Sequence, residues 1–176
     1  MGERDFANGD SVYHTIPDFS FVNQDNIEIT NKTYTGKIYV ADFFFTTCPT
    51  ICPVMKKQML RIYEKYKTNP NVGILSHSID PRHDSVAVLK EYAARLGVGK
   101  GNWNFVTGDR KKIYEIGERS YYVTAGEDSA AAGGIIHSGA FILVDTKRRI
   151  RGTYDGTVEE SVTKLLKDMD TLLLEK

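Results

Sequence analysis

Apolar positions along this chain follow two rhythms, and the switches between them mark the elements. Lys37 to Phe45 is a near-continuous β-branched and aromatic run, which predicts a strand buried on both faces. Val54 to Tyr66 then carries apolar residues at 55, 59, 62, 63 and 66, the period of a helix. Val72 to Ile79 is the next strand, stopped by Asp80-Pro81. A helix is expected from about Ser85 to Leu96, with Asp84 as its N-cap and Gly97 as its C-cap. Trp103 to Val106 reads as a short strand and Arg110 to Glu118 as a short helix. Ala140 to Asp145 is a strong strand, paired with Ile150 to Tyr154 across a basic turn. Thr157-Val158-Glu159-Glu160 has the form of a capping box opening a last helix that runs to about Leu174. Near the start, Phe19 to Val22 and Ile27 to Ile29 flank the turn-rich Asn23-Gln24-Asp25-Asn26 and predict a hairpin. Ala125 to Gly134 is the one flexible-looking insertion.

Strand–helix–strand units imply a parallel core, and the closing hairpin and helix add antiparallel strands. The expected fold class is α/β. The arrangement resembles a thioredoxin-like three-layer sandwich with an N-terminal β-hairpin and a mid-chain insertion. The expected organisation is a flexible N-terminal segment over residues 1–15 and a single domain over 16–176. A chain of 176 residues has enough length for a substantial core. Its 23 Lys and Arg balance 23 Asp and Glu, so no net field favours nucleic acid or an anionic membrane. No stretch approaches the ~20 apolar residues of a membrane span, and Met1-Gly2-Glu3-Arg4-Asp5 does not open a signal peptide. The basic run Lys147 to Arg151 reads as a solvated turn.

Both cysteines of the chain lie in Thr47-Cys48-Pro49-Thr50-Ile51-Cys52-Pro53, between the buried strand and the first helix. Proline is tolerated in a first helical turn, and Pro53 disfavours helical backbone at Cys52, so the helix is expected to start near Pro53 with Cys52 close to its N-cap. Free backbone N–H groups and the positive end of a helix dipole then favour thiolate at both sulfurs, and thiolate is both nucleophile and metal ligand. A four-residue spacing around a turn brings the Cα atoms to roughly 5–6 Å, within disulfide range. The pair can close reversibly or share a soft metal. Two inert core cysteines would not need prolines beside both of them.

Among the four histidines, His14 reads as solvated, His83 as a surface residue and His77 as a satisfied core residue. His137 stands just before the strand Ala140 to Asp145, where thioredoxin-like enzymes carry a cis-proline; the chain has no proline after Pro81. An imidazole with two thiolates would make a three-coordinate soft site suited to cuprous copper. A loop histidine bonding only backbone is the competing reading. Met55 and Met59 read as core, and Trp103, Tyr121 and Tyr122 as packing or partner surface. Asp80 reads as part of an Asp-Pro turn.

Three motifs together resemble the Sco/SenC family of copper-binding assembly factors for cytochrome c oxidase. They are Phe43-Phe44-Phe45-Thr46-Thr47-Cys48-Pro49-Thr50-Ile51-Cys52-Pro53, then Ser78-Ile79-Asp80-Pro81-Arg82-His83-Asp84, then Ile136-His137-Ser138 leading into Phe141-Ile142-Leu143-Val144-Asp145. Their order and spacing fit from about Pro17 to the end. The resemblance implies copper, Cu+ or Cu2+, held by Cys48, Cys52 and His137, in a metallochaperone that assembles the dinuclear copper centre of the oxidase. The implied partners are the copper-bearing oxidase subunit and another copper chaperone or a thioredoxin-like reductant, with no nucleic acid. The implied location is extracytoplasmic, tethered to a membrane by an anchor outside this chain. The family usually has Asp where this chain has Thr50, which removes a negative charge beside the site. The alternative is a thiol–disulfide oxidoreductase in which Cys48 attacks and Cys52 resolves. Thr46-Thr47-Cys48-Pro49-Thr50 also suggests a peroxiredoxin-like peroxidase, but Phe45 stands where its catalytic threonine is expected and the upstream proline is missing.

Overall fold

The computed structural model describes residues 4–7, 10–123, 125–127, 135–137 and 139–175, and for 4–13, 125–127 and 135–137 the backbone alone. The strands are β1 (Arg4–Ala7), β2 (Asp10–Tyr13), β3 (Ser20–Asn23), β4 (Glu28–Thr30), β5 (Ile38–Phe44), β6 (Val72–Ser78), β7 (Trp103–Thr107), β8 (Ala125–Glu127), β9 (Ile135–His137), β10 (Ala140–Val144) and β11 (Ile150–Asp155). The helices are α1 (Ile51–Tyr66), α2 (Val86–Arg95), α3 (Arg110–Glu115) and α4 (Glu159–Leu174). Seven strands form one mixed sheet in the order β11-β10-β5-β6-β7-β3-β4. β5, β6 and β7 run parallel, and the flanking strands are antiparallel to their neighbours. The fold is thioredoxin-like.

Two successive right-handed crossovers in one direction put α1 and α2 on the same face of the sheet. Tyr92 of α2 stacks on Phe44 at 5.4 Å, and the Lys56 ammonium of α1 lies 4.2 Å from the centroid of that ring. α4 packs beside α1. The opposite face carries Phe43 and His77, which pack against Tyr121 and the wide turn Ile116–Ser120 that continues α3. Every residue of β5 and β6 is buried, as a strand covered on both faces requires. Met55, Met59 and Trp103 are core residues, and Tyr121 is buried while Tyr122 is exposed.

Three local readings are corrected. The capping box at Thr157 does not form: Thr157 donates to Asp155 instead, and Val158 caps α4 without a side-chain bond. Asp155 is a nearer acceptor, and it is held in turn by its own N–H bond to Ser161. The N-terminal segment contains the β1–β2 ladder, and β8, which opens the stretch read as an insertion, pairs with β9 just beyond its end. Residues 128–134 of that stretch lie outside the described residues. The basic turn is indeed solvated and charge-matched, with Arg148 on Asp18 and Arg151 on Glu175 and Asp145.

His77 is a core residue but only half satisfied. Its Nδ1 lies 3.2 Å from the Asp42 carbonyl oxygen, while Nε2 has no hydrogen-bond partner among the described residues. Its ring is stacked on Phe43 at 4.5 Å and edge-on to Phe21. Burial pushes its pKa down to about 4, against the opposing pull of its bond to Asp42 and that residue's charge. The unfolded chain therefore binds this proton more readily than the folded one. His77 contributes fully to stability above about pH 6.5, and the contribution fades as pH falls toward 4. The expected loss across that window is about 3 kcal/mol. Urea unfolding of wild type and His77→Phe at pH 7 and pH 4.5 checks it, and equal pH slopes in the two proteins would refute it.

Candidate metal centre

The last rung of the β5–β6 ladder is the bond from the Ile79 N–H to the Phe44 carbonyl. Beyond it the chain turns, and the Cys48 N–H bonds the Phe45 carbonyl at 3.2 Å. α1 then begins at Ile51 with Thr50 as its N-cap, two residues earlier than the prolines suggested. Cys52 is thus inside the first turn rather than before it. Pro53 fits there because the N–H it lacks belongs to the group with no intrahelical partner.

Both cysteines are buried thiols, Cys48 8% and Cys52 2% exposed. Their chemistry is asymmetric, which corrects the expectation that thiolate is favoured at both sulfurs. Burial opposes ionisation of Cys48. Hydrogen bonds from the Cys52 thiol, the backbone N–H groups of Thr50 and Cys52 and the Thr50 hydroxyl outweigh it and hold Cys48 below the ordinary thiol range. The Thr50 hydroxyl lies 3.8 Å from the Cys48 sulfur. Cys52 moves the other way: burial and its thiol bond to Cys48 raise it well above the ordinary range, against a backbone bond at Phe45 and the positive field of Lys56. Cys48 is the first thiolate and the more accessible one; Cys52 is the proton-bearing partner.

One helical turn below Cys52, Lys56 is buried and its ammonium lies 2.6 Å from Asp42 Oδ2. Ser76 donates to the other carboxylate oxygen, and the Trp103 indole N–H donates to Ser76 at 3.0 Å. A carboxylate and an ammonium are stable at this depth because each is paired and hydrogen-bonded. The sequence reading missed this pair. Its signal was a lone Asp inside an otherwise apolar strand and a Lys on the apolar side of a helix.

The second motif is also tied to the loop. Asp84, expected to cap α2, is fully buried and bonds Thr46, Ser78 and His83. The N-cap is Ser85, which accepts the Val88 N–H. His83 is half exposed, and Asp80 takes part in the turn through the N–H groups of His83 and Asp84. His14 is not merely solvated: its Nε2 lies 2.9 Å from the Ser120 carbonyl oxygen.

The His137 backbone ends β9, paired with Ala125 of β8; its side chain lies outside the described residues. Two residues on, a Cβ placed on Gly139 would stand 3.9 Å from Ile51 Cδ1. The chain that carries His137 therefore passes beside the first residue of α1. Among the described residues, no third His, Cys, Asp or Glu joins the cysteines in a metal-sized cluster. No helix among them is long and apolar enough to cross a membrane.

The SCO1/SenC family model matches residues 8–173. A protein of Bacillus subtilis (strain 168), named SCO1 protein homolog, is 31% identical over 166 residues, 91% of this chain and 83% of its own length. A putative copper-binding protein of Stutzerimonas stutzeri is 26% identical over 141 residues, 78% of this chain and 67% of its own. Among solved structures, a SCO1/SenC family lipoprotein from Bacillus anthracis str. Ames superposes with a TM-score of 0.82 at 28% identity, covering 90% of this chain and 95% of that one. BsSco, described as a Sco-family cytochrome c oxidase assembly protein with a disulfide switch, superposes with a TM-score of 0.79 at 30% identity, covering 90% and 93%.

Proposed function

The chain belongs to the SCO1/SenC family, and from that premise we propose that it is a copper metallochaperone whose cargo binds Cys48, Cys52 and His137. The observation that carries this reading is the pair of buried, mutually hydrogen-bonded thiols at the head of α1. Two sulfurs and an imidazole suit cuprous copper, which tolerates low coordination and prefers soft donors. Cys48 engages the metal first, and Cys52 follows by releasing the proton it holds. Thr50 adds no negative charge there, and its hydroxyl supports the Cys48 thiolate instead. Delivery is to the copper-bearing subunit of cytochrome c oxidase, for assembly of its dinuclear centre. The compartment is extracytoplasmic: the periplasmic face of a membrane or, in a eukaryote, the mitochondrial intermembrane space, with the domain tethered. The Bacillus anthracis lipoprotein supports such a tether.

The asymmetry of the thiols favours a second reading, reduction of a protein disulfide. Cys48 thiolate would attack a partner disulfide, releasing one partner thiolate. Cys52 would then displace the second, leaving the Cys48–Cys52 disulfide and a reduced partner.

Anaerobic titration with cuprous ion tests the first reading. One equivalent is expected to bind, Cys48→Ser and Cys52→Ser are expected to abolish it, and His137→Ala is expected to weaken it with loss of one nitrogen scatterer in X-ray absorption. Absence of stoichiometric binding by the wild type, or binding indifferent to His137→Ala, would sink it. Disulfide turnover that persists under a strong copper chelator would favour the second.

A further inference from the structure

Asp84 carries more hydrogen bonds than its place before a helix requires. A buried carboxylate is costly unless donors replace its water, and here four converge on two oxygens. Oδ2 accepts the Thr46 N–H at 3.1 Å and the Ser78 hydroxyl at 2.7 Å. Oδ1 accepts the Thr46 hydroxyl at 2.5 Å and faces His83 Nδ1 at 3.0 Å. The cap of α2 is already filled by Ser85, so the carboxylate is free of that task.

Its main partner is instructive. Thr46 is two residues before Cys48 and lies just past the last ladder bond between β5 and β6. Ser78 ends β6. The carboxylate therefore continues the strand pairing by one further link after the backbone has left the sheet. The Cys52 end of the loop is held by α1, and the Cys48 end is held by this clamp.

We propose that Asp84 is the positioning residue of the dithiol: by gripping Thr46 at both N–H and hydroxyl, it sets where the Cys48 sulfur stands relative to Cys52. The copper arm of this inference rests on the functional reading above; the thiol arm does not. A metal site with its ligands held in place avoids the ordering cost of binding, and supporting residues of this kind are worth roughly 10–100-fold in affinity. Asp84 touches neither sulfur, and its effect runs through the loop.

Three variants test it: Asp84→Ala, Thr46→Val and Asp84→Asn. Cuprous affinity is read by competition with a chromogenic cuprous chelator, and the thermal midpoint is read separately. Asp84→Ala and Thr46→Val are expected to weaken cuprous binding about tenfold. Asp84→Asn keeps an acceptor for the Thr46 N–H while hydroxyls can reverse, so it is expected to restore most of the affinity. A purely structural role would lower the midpoint and leave affinity alone. The second arm equilibrates the copper-free variants against glutathione. The clamp belongs to the dithiol form seen here, so its loss is expected to move the equilibrium toward disulfide by about threefold or more. Wild-type values in both arms overturn the proposal. Should Asp84→Ala fail to fold, Thr46→Val, which deletes one hydroxyl, decides the matter. Should the wild type bind no cuprous ion, the functional reading fails, and the glutathione arm still decides the role of Asp84.

Discussion

Oxidation of Cys48 and Cys52 to a disulfide is expected to abolish cuprous binding, and binding is expected to hold the pair reduced. Copper needs both sulfurs as thiolates, and a disulfide offers neither. Reopening it takes two electrons and two protons, and loading the metal then displaces the protons. The thiols are buried and hydrogen-bonded to one another, so in the reduced form both sulfurs stand together at the head of α1. By linkage, free cuprous ion at about 100 times its dissociation constant stabilises the reduced form by about 2.7 kcal/mol. For a two-electron couple this raises the apparent reduction potential by roughly 60 mV. Midpoint potentials measured with and without cuprous ion check the shift, and metal analysis after thiol oxidation checks the loss. Copper retained at one equivalent by the disulfide form would refute the prediction.

Lys56→Met is expected to destabilise the protein by about 3–5 kcal/mol. The cost comes from what remains. Asp42 is fully buried, and without the ammonium 2.6 Å away its carboxylate keeps only neutral donors such as Ser76. Against a typical stability of about 5–15 kcal/mol this is a large share. Lys56→Met combined with Asp42→Leu removes both charges and is expected to recover most of the loss, since a buried ion pair contributes little beyond an apolar pair of similar volume. Urea unfolding of the three proteins decides it: a single variant within about 1 kcal/mol of wild type, or a double variant no better than the single, would rule it out. The Lys56 field also favours ionisation of Cys52. In the second variant the thiol is therefore expected to be still harder to ionise than in the wild type, which alkylation rates across pH would register.

Most of the sheet could be read from the chain because its signals are local. β5, β6 and β10 are apolar runs that no solvated element can hold, and their observed limits differ from the expected ones by a residue or so at each end. The helical period of α1 appeared directly as the spacing of Met55, Met59, Ile62, Tyr63 and Tyr66. The hairpin of β3 and β4 followed from its Asn-rich turn, where the Asn23 side chain accepts the N–H groups of Asp25 and Ile27. The capping box failed because Thr157 had a choice of acceptors, and only the folded chain shows that Asp155 is the nearer. Asp84 was misassigned for the same reason. A residue before a helix has the look of a cap whether or not its carboxylate turns to a loop thirty-eight positions away.

The sequence by itself determined the parallel core, the two thiols at a strand-to-helix turn and the family they belong to, because periodicity and motif spacing are properties of neighbouring residues. Tertiary structure alone decided that the thiols are unequal, that Lys56 and Asp42 lie paired beneath Cys52, and that Asp84 grips the loop before Cys48. Each of those depends on burial and on contacts between residues far apart in the chain. The energy of a charge is set by the water it has lost and the partners it has met, and neither is written in its neighbours.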